Sequence, residues 1–291
     1  MANASDLYGG FTLKKGDSDK KKIWSGKHHT ISGNYVALLQ TDLKNIGVYL
    51  AKIDGDFGMK THDAVKRFQW NAKYITNRIK SKAITPVTKT FTDKIDGIVG
   101  NNSKKELILW INTKYIVTGD LVRIKESKFS HIELGDGFKV INHPNISAGE
   151  IVVSSALVDC LKIANEEAKA LSLKIFLNQS MRLNGIKVSG AVVTPASKSQ
   201  HLIGHAIDCN IVDGDNWNSS KAFKEKKETE NAKKFISALK ENGMRWGGNF
   251  SNVDTPHFDK QVQSNSFDYD CKYFFNQRMV SEKQTIPLKI W

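Results

Sequence analysis

Two stretches of this chain concentrate side chains that can hold a metal ion and move protons: Ser199-Gln200-His201-Leu202-Ile203-Gly204-His205-Ala206-Ile207-Asp208 and Asp254-Thr255-Pro256-His257-Phe258-Asp259. His201 and His205 stand four apart, the spacing of a helical two-histidine zinc site. Leu202, however, occupies the place of that motif's glutamate, and Gly204 weakens a helix there. The alternative is a loop holding His201 that runs into a strand. In that strand Ile207, Cys209 and Ile211 face the core while Ala206, Asp208 and Asn210 face outward, which leaves room for an ion beside Asp208. His205 then points with the core set or lies at the strand edge. Histidine and carboxylate are suitable zinc donors. Three protein ligands, His201, Asp208 and His257, leave a fourth tetrahedral position to water, the arrangement of a catalytic site. Asp254, three residues before His257 with Pro256 stiffening the link, is placed to take a proton from that water. Any one of these side chains alone could be an ordinary surface or capping residue.

The ordered pattern Ser-x-His-x-x-Gly-x-Ala-x-Asp followed by Asp-x-x-His resembles the zinc peptidases of the D-alanyl-D-alanine carboxypeptidase and L-alanyl-D-glutamate endopeptidase family, across residues 121–291. Carried over residue by residue, the resemblance implies Zn2+ ligands at His201, Asp208 and His257 and a general base at Asp254, where some members have glutamate. It also implies an arginine that supports the polarised carbonyl. The matching stretch Gln179-Ser180-Met181-Arg182 offers Arg182, without the family's glycine and tyrosine, and a structural salt bridge is the competing reading. Arg245-Trp246-Gly247-Gly248 is similar to the family's tryptophan-glycine turn. Trp246 then lines the substrate cleft or packs under the zinc loop, and Ser199 supports substrate or metal from the loop. Cys209, turned away from Asp208, reads as a buried free thiol.

The elements that must position these groups follow from periodicity. Leu157, Leu161, Ala164, Ala168 and Leu171 mark a helix; Leu173–Leu177 and His205–Val212 read as strands; Phe235, Ile236 and Leu239 mark another helix. Helices and short strands interleave irregularly, so the expected class is α+β, with a short antiparallel sheet in the peptidase domain. Upstream, Val36, Leu39, Leu43 and Ile46 trace one helix face ended by Gly47. Ile53-Asp54-Gly55-Asp56-Phe57-Gly58 is turn chemistry, and a second helix begins near Thr61. Ile95-Asp96-Gly97-Ile98-Val99-Gly100 echoes that turn before another helical pattern, a partial internal repeat, and Lys80 to Lys94 reads as an inserted loop.

Gln40, Leu43, Asp54, Gly55, Phe57, Gly58, Thr61, Ala64, Val65, Phe68 and Gln69 together resemble the small helical peptidoglycan-binding module of bacterial and phage wall hydrolases. The expected division is a flexible lead-in over 1–27, a helical wall-binding domain over 28–118 and a zinc peptidase domain over 119–291.

Composition narrows the class further. Of 291 residues 40% are hydrophobic, and no apolar run reaches the roughly 18 residues that cross a bilayer, so membrane insertion is not expected. Cys160, Cys209 and Cys271 are too scattered for a disulfide framework or a thiolate cluster. Net charge is +13, of which +9 falls in residues 1–120, a field that favours polyanions such as an anionic cell wall. A nucleic-acid partner is not expected, because no reading helix or aromatic RNA-binding motif accompanies the charge. The N-terminus lacks the apolar core of a secretory signal, which predicts synthesis in the cytoplasm and action on the wall after release or delivery.

The expected protein is a monomeric, endolysin-like zinc peptidase acting on bacterial peptidoglycan, as an L-alanyl-D-glutamate endopeptidase or a D,D-carboxypeptidase. An interbacterial wall toxin of the same chemistry and a non-catalytic wall-binding protein are the alternatives.

Overall fold

The computed structural model describes residues 6–19, 29–30, 33–88, 91–186 and 196–290. The chain divides into two compact units, Met1–Gly119 and Asp120–Trp291.

In the first unit β1 (Asp17–Ser18) pairs with β2 (His29–Thr30), and three helices follow: α1 (Tyr35–Asn45), α2 (Met59–Tyr74) and, after the hairpin β3 (Asn77–Lys80) and β4 (Ala83–Pro86), α3 (Asn101–Thr113). Each helix turns an apolar stripe inward: Val36, Leu39 and Leu43 from α1, Ala64, Val65 and Phe68 from α2, Leu107 and Trp110 from α3. Phe68 and Trp110 meet edge to face with centroids 5.4 Å apart. Arg78, on β3, reaches a buried Glu106 at 2.5 Å, and Trp110 Nε1 donates to the same carboxylate at 2.7 Å.

The partial repeat has a physical basis. Gln40 Oε1 accepts from the backbone N–H groups of Asp54 and Gly55, while its Nε2 donates to Asp54 Oδ1 and Thr61 Oγ1. Gln69 does the same one turn later: Oε1 accepts from Asp96 and Gly97, and Nε2 donates to Asp96 Oδ1 and Ser103 Oγ. Both glutamines are buried. Removing either amide would strand two backbone donors at about 1–3 kcal/mol each.

Two expectations for this unit are corrected. Residues 6–19 are not a loose lead-in. Tyr8 and Leu13 are buried, Leu13 pairs with Val99, Phe57 N donates to the Asp17 carbonyl, and the Asp19 carboxylate accepts from Val36 and Ala37 at the start of α1. These contacts are long-range and leave no local periodicity to read. Lys20, Lys21 and Lys22 lie outside the described residues. The insertion expected as a loop over Lys80 to Lys94 contains the second strand of the β3–β4 hairpin, whose tip residues Ser81 and Lys82 take positive φ.

The second unit is built on a sheet of six strands among the described residues. In chain order its elements are β5 (Leu121–Lys125), β6 (Ile132–Leu134), β7 (Glu150–Ser154), α4 (Val158–Ala170), β8 (Leu173–Gln179), β9 (Ala206–Asp213), β10 (Asn216–Asn218), α5 (Ser220–Lys224), α6 (Glu230–Glu241), β11 (Arg245–Trp246), β12 (His257–Asp259) and α7 (Phe267–Ser281). The sheet runs β11-β12-β9-β8-β6, with β10 on β9, and β5 pairs separately with β7. The α+β class holds. The sheet is not wholly antiparallel, because β6 pairs with β8 in parallel, a return made possible by the long crossover through β7 and α4. Ile175 and Leu177 of β8, Ile207, Cys209 and Ile211 of β9 and Phe258 of β12 form one core with Leu161 of α4 and Phe235 of α6. Burying such a side chain contributes about 1.5–3 kcal/mol, so β9 is a fixed platform for whatever its other face carries.

Candidate metal and catalytic site

That other face carries Asp208. Antiparallel register sets His257 of β12 directly opposite Asp208 of β9, and Gln179 of β8 lies opposite Asp208 on the other side, just past a register shift in β8. His201 arrives from a single helical turn, Gln200–Ile203, before β9. Ser199 caps that turn through its hydroxyl, which accepts from His201 N at 3.3 Å, and Gly204 ends it at φ +73°. A side chain at Gly204 would press on Ser154 N and Leu121 Cδ2, so glycine is required both for conformation and for space. Helix α7 holds the turn from outside: Asn276 Nδ2 donates to Ile203 O at 2.9 Å, and Gln277 Nε2 donates to the carbonyls of Leu202 and Arg182.

The result is a tight convergence. His201 Nε2 lies 3.0 Å from Asp208 Oδ1 and 3.1 Å from His257 Nδ1, and His257 Nδ1 lies 3.1 Å from Asp208 Oδ1. Each ring is oriented by its other nitrogen. His201 Nδ1 donates to Ser180 O at 2.7 Å, and His257 Nε2 donates to Asp259 Oδ2 at 3.0 Å. In the neutral rings so fixed, the two facing nitrogens and the Asp208 oxygen all present lone pairs to one point. That arrangement is repulsive unless a cation sits among them, and the three donors suit a divalent metal ion.

The electrostatics agree. Burial opposes charge on Asp208, yet His201 and His257 hold its carboxyl far below the usual range. Burial likewise works against a charged His257, but hydrogen bonds and charges from Asp208 and Asp259 outweigh it and carry the ring's pKa up to about 9.

Asp254 sits half-buried in the turn before β12. Its backbone N donates to Gly247 O and its carbonyl accepts from His257 N, and any side chain at Gly247 would collide with that carbonyl. Burial, then the negative charge of Asp208, raises the Asp254 carboxyl above its ordinary value. Arg182 is 9% exposed. Its guanidinium donates to Gln179 Oε1 at 3.2 Å and makes no ion pair among the described residues, while the charge of Asp208 works against the burial that lowers its pKa.

Trp246 is half-buried. Its indole donates to Thr255 O at 2.8 Å and its ring packs on Phe223 and the main core, so it braces the loop between β11 and β12. Ser199 acts as a cap, and its carbonyl accepts from Tyr269. His205 is a buried structural residue whose Nδ1 donates to Lys260 O. Cys209 is buried and free, its thiol pushed up by burial.

Sequence reasoning missed Asp259 and Arg245. Arg245 grips Asp259 with Nε at 2.8 Å and Nη2 at 2.7 Å across the β11–β12 register, and its guanidinium lies over Phe250, which in turn touches His257. The signal was present, since Asp259 follows His257 by two and so shares its strand face.

Comparison with known families agrees with this geometry. Residues 193–260 match a family described as D-alanyl-D-alanine carboxypeptidase, a span that contains His201, Asp208, Asp254 and His257 but not Arg182. Residues 32–74 match the putative peptidoglycan binding domain, covering α1, the first Asp-Gly turn and α2. No curated protein matches the chain. Among the described residues no helix is long and apolar enough to cross a membrane. The chain thus joins an N-terminal peptidoglycan-binding domain to a C-terminal peptidase domain of the D-alanyl-D-alanine carboxypeptidase kind, the modular architecture of a peptidoglycan peptidase.

Proposed function

We propose that the protein is a zinc-dependent, endolysin-like peptidase that hydrolyses one amide bond of the peptidoglycan stem peptide, at L-Ala–D-Glu or between D-Ala residues. The observation that carries this reading is the meeting of His201 Nε2, His257 Nδ1 and Asp208 Oδ1 with lone pairs inward. A zinc ion held by His201, Asp208 and His257 would supply a Lewis acid and would lower the pKa of a water molecule to about 7. Asp254 accepts a proton from the attacking water and returns it to the leaving amine. Its raised pKa suits the first half of that transfer, since a carboxylate of higher pKa is the stronger base, and it lets the carboxyl hold the proton until the leaving amine, a stronger base still, takes it. Arg182, which makes no ion pair among the described residues, offers its positive charge to the negative charge that develops on the scissile carbonyl oxygen. Asp259 and Arg245 keep the His257 ring in one tautomer and one orientation.

The N-terminal unit keeps the catalyst on its polymeric substrate by raising local concentration. The deciding experiment incubates purified walls with the protein and follows release of new amino groups. Activity should vanish in chelator and return with zinc, and mass spectrometry of the released muropeptides identifies the bond. Unchanged hydrolysis in chelator would remove the zinc reading, and wall binding without any new amino groups would favour a non-catalytic wall-binding protein.

A further inference from the structure

The two glutamine-centred turns of the N-terminal unit share a frame but differ in what they present. Aligned on their Asp-Gly pairs, Tyr49 of the first corresponds to Phe91 of the second, Thr61 to Ser103, and both aromatics are buried. The rims diverge. The second turn shows Asp93, Asn101 and Asn102, all exposed, where the first shows Ala51, Met59 and Lys60. A cavity of about 330 Å³ opens at the second turn, at the start of α3, floored by Gln69 and Ser103 and walled by Phe91. That volume lies at the lower end of the roughly 300–1,000 Å³ typical of ligand pockets.

The wall of this cavity is pre-built. Lys73 Nζ donates to the carbonyls of Thr92 and Asp93 at 3.3 and 2.8 Å, and Asn102 Nδ2 donates to Asp93 Oδ2 at 2.7 Å. A loop so tied loses little entropy when a ligand arrives.

We infer that this cavity is a saccharide site, taking an N-acetylated amino sugar of the glycan strand. The inference rests on the peptidoglycan-binding reading and deepens it, because residues 91–103 lie beyond the 32–74 family match. Carboxylate and amide side chains suit sugar hydroxyls and an acetamido group, which both donate and accept, and the edge of the buried Phe91 adds a small apolar surface to the lining. Asp93 and Asp96 line the cavity with Lys94, and Lys73 is tied to the Thr92 and Asp93 carbonyls, so the carboxylates of a stem peptide meet no net positive charge there, whereas a neutral sugar needs none.

The test uses the full-length chain carrying Asp254→Asn, so that walls stay intact, in a sedimentation assay with purified peptidoglycan. Asp93→Ala combined with Asn101→Ala should weaken wall binding roughly tenfold, whereas Met59→Ala with Lys60→Ala at the matching positions should stay within about twofold. Peptide-free glycan disaccharide should compete with the parent, and free stem peptide should not. In the chain with native Asp254, both pairs of substitutions should leave turnover of a soluble muropeptide unchanged, which also shows that the protein is folded. If the parent binds walls and the second-turn variant binds equally well, the site is wrong while wall binding stands. Competition by stem peptide alone likewise overturns the sugar assignment. If the parent itself fails to bind walls, the wall-binding reading falls and the site with it.

Discussion

Asp259 and His257, two residues apart on one strand, share a hydrogen bond of 3.0 Å that decides which imidazole nitrogen faces Asp208. Asp259 is 1% exposed and gripped through two oxygens by Arg245, so its charge is fixed in place, and burial is outweighed by these two partners in holding its carboxyl low. Asp259→Asn keeps the shape but weakens the partner of His257. Zinc affinity, measured by competition with a chromophoric chelator, is expected to fall roughly 10- to 100-fold. Affinity equal to the parent's would show that the pair orients nothing.

Asp254→Asn separates metal binding from proton transfer. The amide cannot act as a base, so kcat should drop by about 10²–10⁴ while zinc stoichiometry stays at the parent's value. In the parent, protonation of Asp254 removes the base. The acid limb of kcat/KM should therefore have its midpoint above the ordinary carboxylate value, in keeping with the raised pKa, and should disappear from the residual activity of the variant. A variant with full activity ends the general-base assignment.

Arg182 can be altered without disturbing the turn beside it, because the bond that ties it to that turn is made by backbone, Arg182 N donating to His201 O, and its carbonyl accepts from Gln277 of α7. Arg182→Gln should lower kcat by about 10²–10³ with KM little changed and zinc affinity intact, the pattern of an interaction made only in the transition state. An unaltered kcat would make this cation a packing residue.

The site was readable in the sequence where chemistry lies in short ordered strings. Strand parity alone put Ile207, Cys209 and Ile211 inward and Asp208 outward, because β9 is buried on one face and its period is two. What could not be read depends on partners far along the chain. Arg245 reaches Asp259 only through the β11–β12 register. Asn276 and Gln277 support the His201 turn across 73 and 75 residues, from a helix whose apolar and charged residues form no single stripe. Leu13 likewise shows no periodicity and is buried only once Val99 is folded. Trp246 was ambiguous for another reason: tryptophan serves clefts and cores alike, and its bond to Thr255 is a contact that no spacing in the sequence foretells.

His205 makes acid stability measurable. Its Nδ1 donates to Lys260 O, and among the described residues its buried Nε2 has no hydrogen-bond partner, so a second proton there would find no acceptor among them. Burial first, then the charge of Lys272, lowers its pKa to about 4, against the partly opposing charge of Asp120; the Lys260 charge adds to the lowering. The folded pKa lies below the unfolded value near 6.5. The unfolded chain therefore binds the proton first as pH falls, and stability is fully present above about 6.5 and lost on the way down to about 4. Two and a half pH units correspond to about 3 kcal/mol. Denaturant unfolding of metal-free parent and His205→Gln protein between pH 7 and pH 4 should show the parent losing about that much more than the variant, since both proteins carry His257 and its titration cancels from the comparison. Parallel stability curves for the two proteins would place the acid sensitivity elsewhere.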